Sequence, residues 1–395
     1  MKRLSLLAVL LISMTFSFAQ KNVRQTASNF LKEGKLDKAM ENINQCILDP
    51  TTASDAKAWF IRGNIYLEIA NSKDEKYKAL DPNALQQALD SYKKATEFDQ
   101  KKEYTEDIFA KVNWQRNNYF NQAVDNYNKK LYKDAMLAFE NGANALSSIH
   151  VSDTISLFYA AACAGLANDK VKAKQYYVDL LKQGAKSPTI YISLSDLYRQ
   201  DKDSTGALKV VREGQSIYPN DLKLFLAETN IYLTFGNTKK ALKNLKLATE
   251  KDTANPTVFF ALGTIYDNIS NDTLKTEKER EETFNLAIDA YKSAIKLSPN
   301  YFEPNYNLGA LYVNKAATIN DIANKLPLDA DAQYKKLKTE ADHLLEIATP
   351  YLEKAVELQP NDVNTLYSLK QIYARTNKTD KLKAINEKMD GLQKK

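Results

Sequence analysis

Catalysis by a protein side chain needs a nucleophile beside a base, a metal held by three or four ligands, or a loop that cradles phosphate. Each of these leaves a recognisable spacing in the sequence. This chain has two histidines, His150 and His343, and two cysteines, Cys46 and Cys163. Neither histidine has a partner at metal-ligand spacing. No H-E-x-x-H, C-x-x-C, G-x-S-x-G, Walker loop or G-x-G-x-x-G occurs anywhere in the 395 residues. His343 lies in a charged, helix-patterned stretch and reads as a solvated surface residue. Adjacent acids such as Glu281 and Glu282 are what a solvated helix face carries. The expectation is a chain that is not an enzyme, with no catalytic residues, no metal and no cofactor.

The elements around these residues are helical. Glycine (11) and proline (10) are scarce for this length, so long helices joined by short turns are expected. A hydrophobic share of 44% excludes a disordered chain, and 395 residues exceed one ordinary core, so several domains or a repeat array must share them. Residues 1–19 stand apart. Lys2 and Arg3 precede an apolar run from Leu4 to Phe18, and Ser17 and Ala19 are small residues at the −3 and −1 positions of a cleavage site before Gln20. That is the layout of a secretory signal peptide, and the run is shorter than the roughly 20 residues that span a bilayer. It predicts export across an inner membrane to the periplasm, with no integral membrane span. Gln20 is not the cysteine that a lipid anchor would need.

Without Lys2 and Arg3 the formal charge falls from +6 to +4. The cations are mostly lysines interleaved with acids, and only eight are arginines, so no basic stripe for nucleic acid is visible. Cys46 and Cys163 fall three helical pairs apart in the repeat register. They are expected to be unpaired, small, buried side chains.

A repeat organises the rest. Ala173, Ala207 and Ala241 are spaced by 34 residues, and Ala287 continues the series after an insertion. Between Phe259 and Pro299, Leu262, Gly263 and Tyr266 share one helix, Ala287, Tyr291 and Ala294 the next, and Pro299 closes the unit. The pattern recurs at Gly63, Tyr66, Ala88, Tyr92 and Ala95, at Tyr191, Leu194, Tyr198, Ala207 and Pro219, and at Leu308, Gly309, Tyr312, Ala348, Leu352, Ala355 and Pro360. Weaker copies centre on Ala27/Ala39, Ala123/Ala135, Ala161/Ala173 and Tyr232/Ala241, and a degenerate one carries Tyr373 and Leu382. This resembles the tetratricopeptide-repeat (TPR) family over nearly all of residues 20–395. The resemblance implies an all-α, right-handed superhelical solenoid of about nine TPR-like hairpins. Glycine and alanine would let paired helices approach, and tyrosine would fill the layer between hairpins. A polar hairpin, 363–395, would cap the C-terminal end.

Three hairpins are longer than the family pattern. Gly63 to Ala88 spans 25 residues, Gly263 to Ala287 spans 24 and Gly309 to Ala348 spans 39, against 12 in regular copies. The extra residues fall near 71–83, 270–283 and 314–347. Both helices of each pair are expected to run on to a distal turn such as Leu326–Pro327–Leu328.

The resemblance also implies a binding groove. TPR proteins contact extended peptides through a concave position one residue after the aromatic slot. Here that position reads Phe60, Phe120, Phe158, Ile192, Leu226, Phe260, Tyr306 and Tyr367, an apolar trough, although the same slot also serves packing between hairpins. Asn64, Asp196, Asn230 and Gln371 stand beside it as donors and acceptors for a peptide backbone. One TPR subclass clamps a C-terminal carboxylate with groove lysines and asparagines. Only Lys223 and Asn230 resemble it, and that specificity is not carried over. The predicted function is a non-catalytic scaffold of the cell envelope with a protein or peptide partner. It would be periplasmic or associated with the outer membrane, within an envelope complex. A glycan-binding surface protein is the alternative, since aromatic side chains stack on sugars.

Overall fold

The computed structural model describes residues 22–393, and the expected signal peptide at 1–19 lies outside them. The described residues are helices and short connections, and they divide into two compact units, one up to Leu194 and one from Ser195 onward. The first holds α1 (22–32), α2 (Leu36–Leu48), α3 (Ala56–Asn71), α4 (Glu75–Lys78), α5 (Ala84–Phe98), α6 (Thr105–Asn128), α7 (Tyr132–Ser147), α8 (Thr154–Leu166) and α9 (Lys170–Lys182). Helix α10 (Pro188–Gln200) crosses the division. The second unit continues with α11 (Ser204–Ile217), α12 (Leu222–Thr234), α13 (Thr238–Lys251), α14 (Pro256–Ser270) and α15 (Glu277–Leu297). It ends with α16 (Phe302–Asn324), α17 (Asp331–Leu358), α18 (Val363–Arg375) and α19 (Thr379–Gln393). With the four-residue α4 set aside, these helices form nine consecutive pairs. The all-α helical-repeat fold read from the sequence is the fold observed.

Local chemistry writes the boundaries. Asp55, Asp153, Asp169, Asp203, Asp221 and Asp362 each cap a helix by accepting a backbone N–H of its first turn, and Thr276 and Glu279 form a reciprocal capping box. Six pairs share one turn. The second residue before the second helix, at Gly34, Lys130, Asn168, Lys202, Gly236 or Asn377, has φ between 55° and 71°. Its left-handed backbone lets the residue after it donate back across the helix end, as Asp169 does to Ala164 at 2.8 Å and Asn237 to Tyr232 at 2.8 Å.

The other three pairs are the lengthened ones, and they are built in three ways. Helices α16 and α17 both run on, to 23 and 28 residues. At 270–283 only the second helix is extended, because Asp272 and the Thr276 cap end one chain direction and start α15 at once. At 71–83 neither helix runs on. Ser72 ends α3, Asp74 caps the short α4, and Asp81 turns the chain into α5. Of the three expected extensions of both helices, one is therefore observed, one is carried by a single helix and one is replaced by capped turns.

Each pair closes on small residues. A β-carbon on Gly263 would fall 2.6 Å from the Tyr291 ring, and one on Gly309 2.5 Å from Leu352; Gly63 faces Tyr92 in the same way. Ala88, Ala287 and Ala348 on the partner helices are fully buried, as are Tyr92 and Tyr291. Tyr66, Tyr266 and Tyr312, three residues after each glycine, are buried too. Cys46 and Cys163 are buried thiols, not joined in a disulfide; burial pushes the Cys163 thiol up to about 11, so it is protonated and inert at neutral pH.

Candidate functional site

The predicted groove residues do not form one uniform surface. Phe60 and Phe260 make the same two contacts. Phe60 packs on Tyr104 at 4.9 Å and Tyr92 at 6.4 Å, and Phe260 packs on Tyr301 at 5.5 Å and Tyr291 at 6.1 Å. In each case the first tyrosine precedes the next helix, so the slot staples one hairpin to the following one. Asn64 is engaged as well, accepting the Tyr92 hydroxyl at 2.9 Å. Asp196 accepts from Arg199 Nε at 2.9 Å and from Gln200 at 2.7 Å. Leu226 packs against the cluster around Phe225, and Tyr306 stacks on Phe302 at 5.9 Å. Ile192 is half-buried on α10, whereas Asn230 and Tyr367 are exposed.

Phe120 and Phe158 differ from the rest, because they open onto a cleft. It measures about 360 Å³, lies between α6, α7 and α8, and is lined also by Val124, Tyr127, Tyr159 and Leu166. Phe139 is its buried floor, meeting Phe120 edge-on at 5.1 Å and Tyr159 stacked at 5.4 Å. Tyr127, Tyr159 and Leu166 are 46%, 45% and 51% exposed, so the walls are apolar and wet. Leu131 and Lys129–Lys130 follow at the hairpin turn, all exposed.

A buried clamp holds the helices that carry these rings. Arg116 on α6 donates to Asp153 through Nε at 2.6 Å and through a terminal nitrogen at 3.1 Å. Asp153 also caps α8 by accepting the Ser156 N–H at 3.0 Å. Burial alone would raise the Asp153 carboxyl; Arg116 and Ser156 outweigh it and hold the group below its usual value. The same guanidinium lies 4.7 Å from the Phe120 ring. One ion pair thus fixes the start of α8, the facing side of α6 and the ring at the back of the cleft.

Sequence reasoning missed Tyr127, Tyr159 and Leu166. The signal was present: Phe120, Val124 and Tyr127 step by four and three along α6, Leu131 follows in the turn after it, and Phe158 and Tyr159 are adjacent aromatics. A periodic apolar stripe does not by itself say which of its members stay uncovered.

A second, polar cleft of about 690 Å³ lies along α7 and α9, lined by Glu140, Asn144, His150, Tyr176, Asp179 and Gln183. Its charges are matched: Lys172 reaches Glu140 at 3.1 Å and Lys182 reaches Asp179 at 3.2 Å. Burial, with Glu140 beside it, pushes the Tyr176 hydroxyl well above its ordinary range. Among the described residues no group of three or more His, Cys, Asp or Glu side chains is placed to hold a metal ion. No helix of the described residues is long and apolar enough to cross a membrane. His343 is exposed on α17, 4.0 Å from Glu346.

Stacked helical hairpins with an aromatic cleft and matched surface charge define a helical-repeat protein. The family model described as TPR repeat matches residues 282–315, most of α15 and the N-terminal part of α16, so this stretch is similar to a tetratricopeptide repeat. A curated relative, the BBSome complex member BBS4 homolog of Drosophila melanogaster, is 23% identical over 188 residues, covering 40% of this chain and 38% of that protein. The chain thus spans less than half the length of that relative. Among solved structures, the chain is similar to MamA at 20% identity and TM-score 0.36, covering 51% of this chain and 98% of that one. It is similar to YrrB, described as a TPR protein with an unusual peptide-binding site, at 18% identity and TM-score 0.34 over 55% and 92%. A thermophilic TPR protein of Thermus thermophilus matches at 19% identity and TM-score 0.35 over 50% and 98%.

Proposed function

We propose that this chain is a non-catalytic scaffold of the cell envelope that holds a protein partner by an apolar segment seated in the α6–α8 cleft. The observation that carries the reading is the exposed apolar wall of Tyr127, Tyr159 and Leu166 around the buried Phe139. Apolar side chains left wet and side by side gain free energy when a partner covers them, and aromatic anchors supply a large share of interface affinity. The envelope location is supported by the Lys2–Arg3 start, the Leu4–Phe18 run and the small Ser17 and Ala19.

The test is capture of partners from the native envelope by wild type and by a Tyr127→Ser/Tyr159→Ser variant. Both side chains are half exposed, so the variant keeps its helical circular dichroism. A discrete partner set should be retained at least about ten-fold less well by the variant. Equal capture by the two proteins would refute the cleft as the contact surface. Saturable binding of oligosaccharides that fails in the same variant would replace a protein partner with a glycan.

A further inference from the structure

Arginine is seldom buried without a carboxylate, because a desolvated guanidinium loses hydration that a paired anion best replaces. Arg62, on α3, is 8% exposed. Every group that accepts from it is neutral. Nε donates to Asn44 Oδ1 at 3.0 Å. One terminal nitrogen donates to Ser91 Oγ at 2.6 Å and to the Gln87 carbonyl at 3.4 Å, and the other donates to Gln87 Oε1 at 2.8 Å. The Tyr66 ring lies 4.3 Å from the guanidinium carbon and the Trp59 ring 5.8 Å. Among the described residues no carboxylate comes within the 4.0 Å of an ion pair; Asp81 and Asp90 act on it from farther away. Burial lowers the Arg62 pKa, against the opposing pull of Tyr66, Asp81 and Asp90. Arginine has five N–H donors, four of which those bonds use, so one is left.

Arg62 borders a cleft of about 400 Å³ whose other walls include Trp59, Gln87, Asp90, Lys93, Lys94 and Glu97. Trp59 is pinned by its indole N–H, which donates to the Ala53 carbonyl at 2.8 Å. Lys94 is paired with Glu97 at 2.8 Å and Asp90 accepts from Gln86 at 2.9 Å, while Lys93 is exposed. Three cations against two carboxylates leave the lining with one net positive charge. No lining residue is shared with the aromatic cleft.

We propose that this cleft binds one carboxylate group, held by the remaining N–H of Arg62 and the Lys93 ammonium and walled by Trp59. Its neutral partners hold the arginine in a fixed pose, so little side-chain entropy is left to lose on binding. A single net charge suits a monoanion, and Asp90 and Glu97 disfavour a phosphate dianion. A small organic acid and the acidic side chain of a peptide present the same group.

Trp59 reports on the site. Trp114 is the chain's other tryptophan and is half exposed on α6, so a Trp114→Phe variant isolates the Trp59 emission. That protein is titrated with sodium acetate and with N-acetyl-glutamate methylamide, against sodium chloride at the same ionic strength. Both carboxylates should change the emission saturably and chloride should not; response to the glutamate derivative alone would mark the source as a peptide side chain. Arg62→Gln should weaken binding about ten-fold or more, and Lys93→Ala by a few-fold. Because Arg62 ties α2, α3 and α5 together, the exposed Lys93→Ala carries the test if Arg62→Gln unfolds. The proposal fails if the folded Trp114→Phe protein shows no saturable response. It also fails if Lys93→Ala responds unchanged, or if phosphate binds more tightly than acetate.

Discussion

Arg62 in the first unit and Glu228 in the second hold the same place in their repeats. Each lies two residues after the apolar slot, Phe60 or Leu226, and four before a buried tyrosine, Tyr66 or Tyr232. In three other repeats the place is apolar, at Leu194, Leu308 and Leu369, which are buried. The partner position is also shared. It lies on the preceding helix, five residues after a fully buried alanine: Asn44 after Ala39, and Arg212 after Ala207. In the second unit the pair is complete. Arg212 Nε reaches Glu228 at 2.9 Å, Gln215 donates to its other oxygen at 3.0 Å, and the Tyr232 hydroxyl donates to it at 3.0 Å. In the first unit the charge is reversed and its partner is neutral, and Ile47 stands where Gln215 would. One scaffold position is thus satisfied internally in one unit and left able to accept an anion in the other. The difference rests on side chains 16 and 18 residues away along the chain.

The comparison breaks most forcefully at Arg212. Arg212→Met leaves Glu228 buried without its cation and should destabilise α11–α13 by about 3 kcal/mol, near the lower end for a broken buried pair because water reaches Arg212. Amide exchange of those helices measures it, and protection equal to wild type would show that Tyr232 and Gln215 suffice. Next come the positions where the two units agree. Gly63→Ala and Gly263→Ala each drive a β-carbon into a buried tyrosine ring, and each should cost about 2 kcal/mol by overpacking. Denaturation midpoints that fall equally for both would confirm a shared hairpin geometry; an effect in one unit alone would deny it. The smallest effect has the opposite sign. Asn44→Asp keeps the shape that Arg62 and Tyr66 contact and gives Arg62 its counter-ion, as Glu228 has. It should stabilise α2–α5 by about 1 kcal/mol and abolish the carboxylate response of Trp59, read in the same titration.

The helices, their pairing and the residue types in their seams were legible in the sequence for a physical reason. Gly63, Ala88 and Tyr92 recur as Gly263, Ala287 and Tyr291 because two helices can approach closely only where a side chain is missing. The lengthened hairpins were legible as length but not as form. A capped turn at Asp74 and a helix running on from Asp331 both fit a polar, helix-forming stretch, and only the capping contacts separate them.

The site was legible in part. Phe120 and Phe158 could be placed on a face, but so could Phe60 and Phe260, which the structure uses as staples on Tyr104 and Tyr301. The distinction depends on which neighbour follows: a tyrosine before the next helix covers the slot in two repeats, and no such ring covers Phe120.

By itself the sequence determined a repeat of helical hairpins and the absence of known catalytic spacings, because period and helix capping are written in residues close along the chain. The tertiary structure decided which members of the apolar row stay open and which buried charge lacks a counter-ion. Those properties belong to pairs of side chains on different helices, such as Phe120 with Tyr159 or Arg62 with Asn44, and no single helix's pattern contains them.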